Sequence, residues 1–121
     1  MNKKIRGVIL DIDGTLIDSN HAHALAFSKA LKEENFHISY EKIRPLIGIG
    51  GKEIISRLTA VREDSAQSEK IVEKQGKYFR ENYLSKLKVF PSTKELLIRM
   101  RKEKIILAVG SSANKIGRAH V

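Results

Sequence analysis

Two short aliphatic runs frame the chain, and the residues between them follow a different period. Residues 4–12 (KIRGVILDI) are dense in β-branched and aliphatic side chains, the pattern of a strand buried in a parallel sheet. The run ends in Asp11-Ile12-Asp13-Gly14-Thr15, where Gly14 allows a sharp turn. From there the spacing becomes helical. Asp18, Ser19 and Asn20 are candidate N-caps, and Ala24, Phe27 and Leu31 follow on one face up to Asn35. Ser39 opens a short helix through Ile43, and residues 45–51 (PLIGIGG) read as a flexible loop with three glycines. Lys52 to Val61 places Ile54, Ile55, Leu58 and Val61 on one helical face. A longer helix is predicted from Asp64 or Ser65 to about Lys88, with Ile71, Val72, Phe79 and Leu87 as its apolar positions. After Pro91, Ser92-Thr93-Lys94-Glu95 matches a capping box, opening a helix with Leu96, Leu97 and Met100 that ends near Lys104. The second aliphatic run, Ile105 to Gly110, follows at once and reads as a second buried strand.

This order predicts an α/β fold. A right-handed crossover between parallel strands needs only the helix near residues 92–104. The block 18–88 is therefore expected to be an inserted helical subdomain. Residues 1–17 and 89–121 are expected to form part of a Rossmann-like parallel-sheet core.

Charge changes this picture little. The chain of 121 residues carries a formal net charge of +9, which favours anionic partners such as nucleic acids, anionic membranes or phosphorylated metabolites. Lys and Arg are interspersed with Glu and Asp at helical spacing, as on a solvated surface, and aromatic residues at 6% supply little for base stacking. Neither a nucleic-acid nor a membrane partner is expected. The absence of cysteine excludes disulfides and thiolate metal sites. The apolar run near the N-terminus is too short and ends too acidically for a signal peptide or membrane span, so a cytoplasmic protein is expected. Oligomeric state has no signature in the sequence.

The chemistry concentrates where the first strand ends. Carboxylates at Asp11 and Asp13, two residues apart, point the same way if strand geometry persists, toward the crevice where α/β folds place ligands. Gly14 and Thr15 supply a tight turn whose N–H groups can approach an anion. A hard divalent cation such as Mg²⁺ relieves the repulsion between the two acids and leaves positions open for a substrate phosphate.

Residues 9–20 (ILDIDGTLIDSN) resemble the first signature of the haloacid dehalogenase superfamily. The resemblance implies that Asp11 is the nucleophile that takes the phosphoryl group and that Asp13 is the general acid and base. It further implies Mg²⁺ held by Asp11 and by the backbone carbonyl of Asp13. Residues 107–112 (LAVGSS) resemble the second signature, with Ser111 at the phosphate-binding position and Ser112 after it. The insertion occupies the place of the family's small helical cap, which closes over the core. Within it, residues 18–23 and 44–52 resemble the branch of phosphoglycolate phosphatases and β-phosphoglucomutases, which makes His23, Arg44 and Lys52 candidate substrate contacts.

Two parts of the family pattern are missing. Lys115 is too close to the second strand to stand for the family's third-signature lysine, and no acidic residue follows Glu103 to complete the metal site. The chain is therefore expected to be the front part of a longer protein and inactive alone. Residues 116–121 (IGRAHV) resemble the translation of a common sequencing adapter and are expected to be a non-native tail. The implied activity of the intact protein is phosphatase action on a small phosphorylated metabolite. A phosphosugar mutase of the same superfamily and a non-catalytic basic binding module are the alternatives.

Overall fold

In the computed structural model, which describes residues 4–110, both aliphatic runs are strands. β1 (Gly7–Asp11) and β2 (Ile106–Gly110) lie parallel, Gly7 opposite Ile106 and Asp11 opposite Gly110. The intervening helices are α1 (Asn20–Glu33), α2 (Tyr40–Ile43), α3 (Gly51–Leu58), α4 (Ala66–Asn82) and α5 (Thr93–Lys102). The chain thus has the expected α/β character. The described residues divide into two compact units, residues 4–19 with 87–110, and residues 20–86.

The first unit holds the sheet and α5, which packs against β2. Pairing places Ile9 and Ile106 on the same face, and they are 79% and 73% exposed, so that face is uncovered among the described residues. On α5, Leu97 and Met100 are half-buried, while Leu96 is exposed. The chain after β1 is tied back by the backbone: Asp18 N–H donates to the Lys88 carbonyl at 2.9 Å and Phe90 N–H to the Leu16 carbonyl at 3.1 Å.

The second unit is helical. Its core comprises Ala24, Phe27, Ala30, Leu31, Ile43, Ile54, Ile55 and Ile71. The small buried residues Ala22, Ala24, Ala26 and Ala30 let α1 approach its neighbours closely, and α4 is its main partner. A Cβ on Gly51, at the start of α3, would come within 3.2 Å of Phe27 Cζ and 3.3 Å of Val72 Cγ2, so this glycine sets how tightly α3 seats. Ser65 caps α4 by accepting from Ser68 N–H at 3.1 Å. At the far end of α1, Glu33 accepts from Tyr78 Oη, and Glu33 and Glu34 pair with Lys74 of α4, both at 3.4 Å.

Four local expectations need correction. Arg44–Leu46 is a 3₁₀ turn and Ile47 bridges Ile49, so the start of the glycine-rich stretch is ordered where a loop was expected. α3 ends at Leu58 because Thr59 turns extended, with φ −139°, and Val61 falls outside it. α4 ends at Asn82, since Tyr83 leaves helical geometry and Leu84–Lys86 tightens into a 3₁₀ turn, which places Leu87 beyond the helix. The capping box before α5 does not form. Ser92 sits at φ −94°, ψ 2°, outside the extended region an N-cap needs, and makes no capping bond.

Candidate active site

Asp11 is the last residue of β1 and is exposed at the end of the parallel pair. The chain then curls tightly: the Ile12 carbonyl accepts from Leu16 N–H at 3.0 Å and Ile17 N–H at 3.1 Å. Gly14, at φ +77°, takes the left-handed conformation this curl requires and donates its N–H to the Ile17 carbonyl at 2.9 Å. Thr15 N–H donates to the Ile12 carbonyl at 3.2 Å. The two N–H groups expected to approach an anion are therefore donated within the turn. Thr15 instead offers its side chain, with Oγ1 3.5 Å from Asp11 Oδ2.

Asp13 is half-buried, and its Oδ1 accepts from Ser19 Oγ at 2.5 Å. Ser19 is fully buried, so the bond is anchored at its donor end in the interior. Asp13 thus has a carboxylate oriented by the residue just before α1. A second tie comes from Thr93, whose Oγ1 donates to the Leu16 carbonyl at 3.0 Å. The first residue of α5 is thereby joined to the loop that carries Asp13.

Ser19 was missed as a site residue: among Asp18, Ser19 and Asn20 the local pattern shows only interchangeable N-caps. The signal that could have found it is a small hydroxyl residue returning six positions after a strand-end aspartate, at the point where a helix begins.

β2 ends at Gly110, paired with Asp11. Ser111 and Ser112, together with Lys115 and the segment 116–121, lie outside the described residues. His23, Arg44 and Lys52 all belong to the helical unit. Arg44 opens the 3₁₀ turn and is half-buried, while Lys52 is exposed in the first turn of α3. His23 is half-buried: its ring stacks on Phe79 with centroids 3.9 Å apart, and its Nδ1 meets Gln75 Nε2 at 3.0 Å.

Among the described residues, no three His, Cys, Asp or Glu side chains are grouped so as to hold a metal. The exposed carboxylate of Asp11 and the adjacent Asp13 are nevertheless hard oxygen donors. Two such donors suit Mg²⁺, which commonly takes one or two carboxylates and completes its shell with water and substrate phosphate. No helix among the described residues is long and apolar enough to cross a membrane.

Comparison with known proteins adds an independent observation. A sequence model of the haloacid dehalogenase-like hydrolase family matches residues 8–118. A phosphoglycolate phosphatase from Mannheimia succiniciproducens is 31% identical over 117 residues, covering 90% of this chain and 52% of the relative. Among solved structures, a hydrolase from Pseudomonas syringae superposes with a TM-score of 0.79 at 28% identity, covering 90% of this chain and 49% of its own. A predicted phosphoglycolate phosphatase from Haemophilus somnus gives a TM-score of 0.68 at 26% identity, with 88% and 51% covered. The chain spans about half the length of each of these relatives.

Proposed function

The chain belongs to the haloacid dehalogenase-like hydrolase family, and on that premise we propose that it is the front part of a cytoplasmic, Mg²⁺-dependent phosphatase of small phosphorylated metabolites. The observation that carries the reading is the end of β1. An exposed carboxylate terminates a parallel strand, and a second one, two residues on, is fixed by a buried hydroxyl. Phosphoglycolate is the first substrate to try, because the curated relative is a phosphoglycolate phosphatase.

In the proposed reaction an Asp11 carboxylate oxygen attacks phosphorus while the bond to the leaving alkoxide breaks. Asp13 gives that alkoxide its proton, then takes a proton from the water that hydrolyses the aspartyl-phosphate, releasing phosphate and restoring Asp11. Ser19 keeps the Asp13 carboxylate oriented for both transfers. The Thr15 hydroxyl steadies Asp11, Gly14 shapes the turn, and Ser111 and Ser112 are proposed phosphate contacts. Mg²⁺, held by Asp11 and the Asp13 carbonyl, would supply positive charge against the phosphate dianion. The helical unit acts as the cap, with Arg44, Lys52 and His23 addressing the rest of the substrate.

The test is a panel of phosphomonoesters, phosphoglycolate included, given to the longer protein with Mg²⁺, with and without a sugar bisphosphate. Phosphate release indifferent to the bisphosphate is expected. Isomerised product formed only with the bisphosphate would replace the phosphatase reading by a mutase. Salt-sensitive nucleic-acid binding with no phosphate release would replace it by a binding module. The 121-residue chain alone is expected to release none.

A further inference from the structure

Gln75 occupies a core position with a polar side chain. Along α4, Ile71 precedes it by one turn and Phe79 follows it by one turn, the spacing of one buried stripe. An apolar residue would suit that stripe, yet Gln75 stands there, only 8% exposed. Buried amides need partners, and Gln75 Nε2 lies 3.0 Å from His23 Nδ1 on α1. The imidazole also lies flat on Phe79, with planes 2° from parallel. Two side chains of α4, one turn apart, therefore take hold of one ring by its edge and by its face.

We propose that Gln75 is a positioning residue that sets His23 as a hydrogen-bond donor at Nε2. An amide nitrogen donates and has no lone pair with which to accept. Nδ1 opposite it must accept, so the proton of the neutral ring resides on Nε2. Phe79 fixes the plane in which that N–H lies. The inference rests on the reading of the helical unit as the substrate-contacting cap. It deepens that reading by fixing which ring nitrogen of His23 can donate, and by excluding service as a proton acceptor at Nε2.

The tautomer is measurable without turnover, so a failure of this inference is distinguishable from a failure of the phosphatase reading. Long-range ¹⁵N–¹H correlation spectra of the labelled 121-residue chain at about pH 8.5, where an ordinary histidine is neutral, read both ring nitrogens. Wild type is expected to show protonated Nε2 and bare Nδ1. Gln75→Glu presents a carboxylate that only accepts, and is expected to move the proton to Nδ1. Gln75→Met keeps the bulk without the donor, and is expected to draw the two nitrogen shifts toward averaged values. Stacking on Phe79 shifts the His23 ring protons upfield, so a Gln75→Glu chain that fails to fold reveals itself, and Gln75→Met then decides. A wild-type proton on Nδ1 overturns the inference. So does a folded Gln75→Glu that keeps the proton on Nε2, as plain packing would, or nitrogen shifts unchanged in Gln75→Met.

Discussion

Truncating Ile71 to alanine tests where the folding energy of this chain resides. Ile71 is fully buried in the helical core, among Ala24, Phe27 and Leu31 of α1 and Ile54 and Ile55 of α3. The change removes roughly three buried carbons at about 0.8 kcal/mol each, or about 2.4 kcal/mol of transfer free energy. Incomplete collapse around the void raises the cost to about 3–4 kcal/mol, and the better helix propensity of alanine returns only about 0.4 kcal/mol. The same truncation at Ile9 should cost under about 0.5 kcal/mol, because that side chain, on the open face of the sheet, is 79% exposed. Urea unfolding followed by far-ultraviolet circular dichroism compares the two. With a slope of about 1–3 kcal/mol per molar urea, Ile71→Ala should lower the midpoint by at least about 1 M and Ile9→Ala by less than about 0.5 M. Equal shifts, or a larger one at Ile9, would refute the assignment of the core to the helical unit.

Ser65→Ala should destabilise the chain by about 1 kcal/mol, whereas Ser92→Ala should change stability by less than about 0.3 kcal/mol, since only Ser65 makes its capping bond; comparable losses in the same urea assay would count against the cap geometry. The hydrogen bond from Tyr78, and then Lys74 against an opposing effect of burial, hold Glu33 below its ordinary pKa of 4.5. Its contribution to stability is therefore complete above pH 4.5 and is lost as pH falls through the lowered folded value. Tyr78→Phe should make stability fall less steeply with acid below that pH, and an unchanged slope in an acid titration would contradict this. In the longer protein, Ser19→Ala should lower kcat by about 10- to 100-fold with little change in KM; a KM effect alone would show that Ser19 does not act through Asp13.

What the sequence made legible was whatever depended on local pattern. Both strands were readable because their aliphatic runs stop at turn residues, and α1 because Ala24, Phe27 and Leu31 repeat at helical spacing. Asp11 and Asp13 were readable because their chemistry lies in one contiguous motif. The parts that escaped depend on residues distant in sequence. Thr93 looked like the inside of a capping box, but its hydroxyl answers to the Leu16 carbonyl, 77 positions earlier. The end of α4 was unreadable because residues 83–90 contain no glycine or proline to mark it, so the helical pattern runs on past the turn at Tyr83. Gln75 and Phe79 lie more than fifty positions from His23 and show no local sign of meeting it.

The most direct test of the proposed chemistry asks whether the longer protein carries a phosphoryl group on Asp11 during turnover. The protein is quenched in acid during turnover of phosphoglycolate with Mg²⁺, treated with borohydride to reduce any acyl phosphate, and digested for mass spectrometry. Homoserine is expected in place of Asp11 in the peptide that spans β1, with loss of both the label and phosphate release in Asp11→Asn. Phosphate release that survives Asp11→Asn, or a label that maps to another residue, would contradict it.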